Sequence, residues 1–327
     1  MPIVVIAGGT SIGLGRSIVQ AILQAYPNQE WTPIILSRSP KQPDWLPALD
    51  YKPEIKAVDY NDPSSLLSAL RGVHTVISVI LAIDGTHASS QIALLDAAVQ
   101  SGCKRFAPSE WACGPKGVLN VDLLAAAKAP VWEACEKSGI EWSRFNVGSF
   151  MNYLGIGCGQ NEDEACAGVD REGDMPDGSG SFLVSMVSNS VELLVKDDGA
   201  VPRVTMTEIR DVGRFVARAL ELEDWERDMD IVGDTVRLDE VVEIAERVTG
   251  KRFDVNRLGR REMEKQLETL VDESDMLKRM WIQLKIMMLG DEVGCGVLNP
   301  VANKLCPGVR AVSIEGYLTK YWGGKNL

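Results

Sequence analysis

The chain has 327 residues, 45% of them hydrophobic and 24% charged, with a formal net charge of −12. That length holds one large α/β domain or a main domain with a smaller lobe, and the composition is that of a globular protein without low-complexity tracts. The acidic balance opposes nucleic acid and anionic membranes, both of which attract basic surfaces, and no apolar run approaches the roughly 20 residues of a membrane helix.

In chain order, the first element is a strand over Ile3–Ala7, and it ends in Gly8-Gly9-Thr10-Ser11-Ile12-Gly13-Leu14-Gly15-Arg16. A buried strand, a glycine-rich bend and an amphipathic helix (stripe Val19, Ile22, Leu23, Tyr26) together suit a diphosphate. Glycines 9, 13 and 15 permit the tight turn, the approach of pyrophosphate to the backbone, and close packing of helix on strand. Gly8, Gly9, Thr10, Ser11, Ile12 and Gly13 are the expected cradle. The competing reading is a tight turn that binds nothing.

A second strand over Thr32–Ser37 runs into Ser37-Arg38-Ser39. A ribose 2′-hydroxyl is usually met there by an acid and a 2′-phosphate by a cation, so Arg38, flanked by hydroxyls, favours NADP over NAD. An ordinary exposed loop arginine is the alternative. Asp59, after a strand over Ile55–Val58, either meets the adenine amino group or closes the turn at Asn61-Asp62-Pro63. A strand over Thr75–Ile80 carries Ser78, another expected cofactor contact, and leads to a helix with stripe Ile92, Leu95, Ala98 and Val99. On that helix Gln91 is a candidate substrate contact, whereas His87, at its start, reads as solvated.

After a strand over Lys104–Ala107, Ser109 and Glu110 are expected at the mouth of a cleft. In Leu124–Trp132, Pro130 predicts that a helix starts or kinks, with Lys128 projecting from a helix end near the carboxyl edge of the sheet. A lysine there binds ribose hydroxyls or assists proton delivery; a solvated surface lysine is the simpler alternative. A sixth strand, Glu141–Phe145, precedes Asn146, Val147 and Phe150, which would line the nicotinamide, and Tyr153, a candidate substrate contact or packed aromatic.

Beyond about residue 150 the rhythm changes. Residues 162–180 read as a long loop or hairpin, and the run Glu162-Asp163-Glu164 as hydrated acids rather than a metal site. Helices follow around Val212–Ala219, behind a Thr207 cap, and Leu238–Val248, separated by a strand at Asp230–Val232. A strand at Phe253–Leu258 and a mostly charged helical stretch over 260–290 come next. Strand–helix alternation predicts a Rossmann-type doubly wound parallel sheet over residues 1–150 and a smaller α+β substrate lobe over 151–327, some of whose elements pack back on the sheet.

The Tyr-x-x-x-Lys pair of short-chain dehydrogenases occurs once, at Tyr321 and Lys325, where two intervening glycines argue against a helix. Seven scattered cysteines without a CxxC pair, and only two histidines, predict buried thiols, a reducing cytoplasmic setting and no metal site. The opening residues read as a strand and not as a secretory leader.

AGGTSIGLGR, LSRS, ALRGVHTVISVI, KRFAPSEW, Lys128–Leu154, Thr207–Leu222 and the closing YWGG together resemble the NmrA-like, isoflavone reductase-like group of atypical short-chain dehydrogenases. The resemblance implies an NADP(H)-binding Rossmann domain, a substrate cleft beside it, and a place in secondary metabolism. It also implies that Lys128 touches the nicotinamide ribose and assists proton transfer. Two departures stand out: Ser11 occupies the second glycine of the group's G-x-x-G-x-x-G, and Val131-Trp132 replaces Ile-Arg after the lysine. The expected activity is NADPH-dependent reduction of a small aromatic or conjugated metabolite, with neither nucleic acid nor membrane as partner; a homodimer is compatible with it. The same resemblance covers regulators that bind NADP without catalysis, and a scaffold turned to non-redox isomerisation or cyclisation is a third reading.

Overall fold

The computed structural model describes residues 1–82, 84–159, 161–169 and 182–324. Six strands form one parallel sheet in the order β3-β2-β1-β4-β5-β6: β1 Ile3–Ala7, β2 Thr32–Ser37, β3 Glu54–Ala57, β4 Val73–Ser78, β5 Arg105–Ala107 and β6 Glu141–Trp142. The order reverses between β1 and β4, which opens a crevice at their carboxyl ends, the place where such sheets bind ligands. Helices α1 (Leu14–Ala25), α2 (Pro63–Ala69), α3 (His87–Gln100), α4 (Pro115–Leu119) and α5 (Asp122–Ser138) connect them. Successive side chains of a strand point to opposite faces, so β1 feeds two cores. Val5 and Ala7 join one with Leu36, Val76 and Phe106; Val4 and Ile6 join the other with Ile18, Ile35 and Ile77.

The later residues add two small sheets. In one, β10 (Arg203–Thr207) pairs with β7 (Ser149–Phe150) and β11 (Asp234–Arg237); in the other, β9 (Ser190–Val195) pairs with β8 (Val184–Ser185) and β12 (Asp254–Gly259). The helix Ile209–Ala219 lies on α1, with Ser17 Oγ donating to Ile209 O at 2.8 Å and the Tyr26 hydroxyl to Ala217 O at 2.9 Å. A Cβ on Gly213 would stand 2.5 Å from Ser17 O, so only glycine permits that contact. Phe215 and Val216 thereby enter the core built on Ile18 and Ile22.

Several local expectations are corrected. Helix α5 continues through Pro130 from Asp122 to Ser138 and does not start there, because Val131, Trp132 and Cys135 are buried on its inner face and that packing outweighs the roughly 3 kcal/mol of an interior proline. Lys128 therefore sits inside a helix, not at its end. Asp230–Val232 makes no ladder: Ile231 N–H donates to Asn146 O and Val232 N–H to the Asn303 side chain, and the strand begins at Asp234. Glu208, not Thr207, caps the helix that begins at Ile209, while Thr207 Oγ1 bonds Ile231 O. The charged stretch is two helices, Arg260–Thr269 and Met276–Met288. Glu162–Cys166 is a short helix, α6; residues 170–181 of the expected loop lie outside the described residues. All seven cysteines are buried, and among the described residues no helix is long and apolar enough to cross a membrane.

Candidate functional site

At the end of β1 the backbone folds sharply. Gly8 has φ +82 and its N–H bonds Leu36 O, while a Cβ there would stand 3.1 Å from Val79 O at the end of β4. Gly15 lies under the bend: its N–H donates to Ser11 Oγ at 2.9 Å, and a Cβ would stand 2.9 Å from Gly8 O. Ser11, in the second glycine position, thus ties the loop to the first turn of α1. The N–H groups of Thr10 and Ile12 donate to no described residue. Helix α1 begins at Leu14 with no side-chain cap. The free Thr10 and Ile12 amides at a positively polarised helix end fit the diphosphate of a dinucleotide.

Arg38, after β2, is exposed and makes no ion pair with a described residue. Its charge acts on Asp84 and on Tyr60, whose hydroxyl is buried without a hydrogen-bond partner and whose pKa is raised by that burial. The Ser37 hydroxyl accepts the Ser39 N–H at 3.2 Å. Asp59 is exposed and takes the Asn61 N–H at 2.9 Å, so it closes its turn. Arg16, which follows Gly15 directly but carried no weight in the sequence reading, is half-buried and lines a small cleft with Ile12, Gly13, Asp163 and Glu164.

Across the crevice, Ser78 is buried and its carbonyl accepts the Trp111 indole N–H at 2.8 Å. Ser109, Glu110, Gln91 and Lys128 converge into one buried cluster. Lys128, only 5% exposed, donates from Nζ to Ser109 O at 2.9 Å and to Glu110 O; its ammonium also lies 3.5 Å from Glu110 Oε2. The Trp132 indole N–H donates to Glu110 Oε1 at 2.9 Å. Burial raises the Glu110 pKa, opposed by the Lys128 charge, the Trp132 bond and Arg144. Gln91 is fully buried and accepts the Ser109 N–H on Oε1 at 2.8 Å, while its Nε2 lies 2.7 Å from His87 Nε2.

His87 is therefore not the solvated residue its place at a helix start suggested: it is 7% exposed, and burial together with the Lys128 charge pushes its pKa down to about 4. A place at a helix start does not announce this burial, which depends on tertiary packing.

The segment after β6 closes the site. Asn146 donates from Nδ2 to Asp230 Oδ1 at 2.7 Å and to Asp228 Oδ1 at 3.2 Å, leaving its Oδ1 buried and unpaired. Arg144 grips Asp228 at 2.7 and 2.9 Å and lies 4.9 Å over the Trp132 ring. Burial pushes the Asp230 carboxyl up to about 6. Val147 N–H bonds Ala112 O, and Gly148 (φ +70) lies so close to Thr205 that a Cβ would stand 2.2 Å from its carbonyl. Phe150, in β7, and Tyr153, in the turn that follows, are half-buried.

Two features fall outside the cluster. Glu164 of the acidic run is not merely hydrated: Arg210 at 2.8 Å and Lys320 at 2.6 Å hold its carboxyl down to about 2. The Tyr321 hydroxyl is 3.1 Å from the same carboxylate, in a helix Ile314–Trp322 that ends before Gly323; Lys325 lies outside the described residues.

The model of the family described as the NmrA-like family matches residues 2–284. Oxidoreductase BOA1 of Botryotinia fuckeliana (strain B05.10) is 33% identical over 255 residues, 76% of this chain and 77% of that protein. Oxidoreductase swnN of Metarhizium robertsii is 26% identical over 78% of this chain and 76% of that protein. Among solved structures, an isoflavone reductase superposes with a TM-score of 0.71 at 18% identity, over 98% of this chain and 99% of the other. AtPrR2, solved with NADP+ and (+)pinoresinol, gives 0.70 at 19% identity over 98% of both chains. At those identities the structural likeness speaks for the fold.

Proposed function

Because the chain belongs to the NmrA-like family, we propose that it is an NADP(H)-dependent oxidoreductase that reduces a small aromatic or conjugated metabolite. The observation that carries the reading is the pairing of two features on one edge of the sheet. On one side stands a glycine bend with unpaired Thr10 and Ile12 amides and the unpaired Arg38 one strand away. On the other stands the buried Lys128–Ser109–Glu110 cluster. Relatives named as oxidoreductases and an NADP+-bound neighbour of the same fold support it.

In this reading Gly8, Gly9, Thr10, Ser11, Ile12 and Gly13 hold the diphosphate, and Ser37 and Arg38 the 2′-phosphate, with Arg16 adding charge. Asp59 and Ser78 border the adenosine side, and Asn146, Val147 and Phe150 border the nicotinamide. The bound dinucleotide supplies hydride. Lys128 orients ribose and furnishes the proton, held in place by the Ser109 and Glu110 carbonyls, while Gln91, Ser109, Glu110 and Tyr153 border the substrate. Residues 1–150 serve the nucleotide and 151–327 shape the substrate side.

Titrating the protein with NADPH and NADH, then following absorbance at the reduced-nicotinamide band with enones, quinones and aryl ethers, tests this. Tighter NADPH binding with turnover of one substrate class is expected. A second reading has its own observation: two of the three Lys128 ammonium protons are already given to main-chain carbonyls and Glu110 stands beside the third. A redox-sensing regulator has that economy of donors, and tight NADPH binding without turnover of any panel member would favour it.

A further inference from the structure

His87 stands at the start of α3, the helix that follows β4, and its ring is held in one protonation state by a chain of fixed donors. The Ser109 main-chain N–H can only donate, so the Gln91 atom that meets it at 2.8 Å is the carbonyl oxygen. The other end of the Gln91 amide is then NH2, which also only donates, and it faces His87 Nε2 at 2.7 Å. Nε2 must therefore carry the lone pair, and the proton of the neutral ring sits on Nδ1. Nδ1 has no hydrogen-bond partner among the described residues, yet it is not among the polar atoms sealed from solvent without one. A 93% buried imidazole thus spends one nitrogen on the scaffold and keeps its only N–H donor without a partner among the described residues.

Two further facts set what that donor meets. The residue that orients Gln91 through its N–H, Ser109, is the residue that receives Lys128 through its C=O, so imidazole and ammonium are placed by opposite ends of one loop residue. The Lys128 charge lies near enough to disfavour protonation of the ring, and the amino end of α3 acts in the same sense. The ring is a neutral donor beside a cation, an arrangement suited to an oxygen that becomes negative.

We propose that His87 is a second polarising group of the site, donating its Nδ1–H to the carbonyl oxygen of a conjugated ketone or quinone substrate while Lys128 supplies the proton. This deepens, and rests on, the reductase reading above. Hydride from the reduced dinucleotide brings two electrons and one hydrogen to the conjugated carbon. The C=C pair shifts, the charge arrives on the oxygen held by His87, and one proton leaves Lys128 for the product, to be restored from water. No proton leaves the imidazole, which contributes as a preplaced donor; removal of one such donor typically lowers kcat by about 10²–10³-fold.

The chain has only two histidines, so selective 15N-histidine labelling gives two imidazoles, and His74→Gln assigns them. At neutral pH the His87 signals should report Nδ1–H with a bare Nε2, and Gln91→Leu, which removes the amide donor, should let the two tautomers mix. Adding 4-nitrophenol as an oxyanion probe to the NADP+-bound protein should move the Nδ1–H proton downfield. An Nε2–H tautomer, or an Nδ1–H signal that the probe leaves unmoved at its solubility limit, overturns the proposal. In turnover, His87→Ala should lose about 10²-fold in kcat with NADPH affinity unchanged, and His87→Asn, which keeps an N–H near the Nδ1 position, should recover part of it. Equal kcat in wild type and His87→Ala also overturns it. Failure of wild-type turnover with every panel compound defeats the reductase reading instead, and the spectra still decide whether Nδ1–H is offered to an oxyanion.

Discussion

Replacing Lys128 by Met tests the centre of the site through stability alone. Lys128 and Glu110 are 5% and 4% exposed, their charged atoms are 3.5 Å apart, and the Glu110 Oε2 atom has no other partner among the described residues. Met fills most of the lysine volume but leaves a buried carboxylate whose single strong donor is the Trp132 indole. Breaking one side of a buried pair typically costs about 3–5 kcal/mol, whereas removing both charges is often close to neutral. Lys128→Met should therefore lose about 3–5 kcal/mol in denaturant unfolding at pH 7, and Lys128→Met/Glu110→Gln should regain most of it. The pH dependence has a definite sign. The Glu110 pKa is already raised by burial and rises further without Lys128, so the folded variant holds a proton that the unfolded chain has released. Its deficit shrinks as pH falls toward the unfolded carboxyl pKa and grows as pH rises from there toward the raised folded pKa. A single variant within about 0.5 kcal/mol of wild type, or a double variant no better than the single, would refute the ion-pair account.

Arg38→Glu should weaken NADPH by about 10–100-fold and leave NADH and the unfolding midpoint nearly unchanged, because the side chain is exposed and unpaired; equal losses for both nucleotides would remove it from 2′-phosphate recognition. Gly8→Ala forces a Cβ into a residue at φ +82 and 3.1 Å from Val79 O, and should cost about 1–3 kcal/mol together with a loss of nucleotide affinity in a binding titration. Asp230, raised to about 6 by burial, stabilises most below the unfolded carboxyl pKa and loses that contribution as pH rises through 6. Asp230→Asn should flatten that decline, worth up to about 3 kcal/mol, in unfolding curves taken between pH 4 and pH 7.

Legibility followed the range over which each feature is determined. The β1 bend, the Arg38 loop and the alternating sheet were readable because strand, turn and helix residues lie within a few positions of one another. That Ser109 and Glu110 follow β5, and that Gln91 lies on the helix after β4, was readable; that all three are buried was not. Nor was what those groups do to Lys128, since carbonyl and ammonium meet across a sequence separation of 18 that only folding closes. Pro130 misled because a local rule about one missing N–H was applied where Val131, Trp132 and Cys135 packing governs. His87 misled for the same reason. Asp230–Val232 has strand-like composition, yet buried bonds from Asn146 and Asn303 occupy its backbone and carboxylate before any strand can pair with it.

Strain at Trp111 links these pieces. A bulky residue at φ +43 is held against a cost of about 1–3 kcal/mol, and here three contacts hold it: its N–H on Phe145 O at 3.1 Å, its indole N–H on Ser78 O, and its ring stacked on Phe145. The peptide that this turn reorients is the one between Glu110 and Trp111, whose carbonyl receives Lys128. With an ordinary φ at this position that carbonyl would point elsewhere, and Lys128 would keep only Ser109 O and the Glu110 carboxylate. The tryptophan thus converts contacts with β4 and the segment after β6 into the placement of an ammonium on α5. A smaller residue at 111 would relax the backbone, and the ammonium would lose its fixed address before the sheet lost its shape.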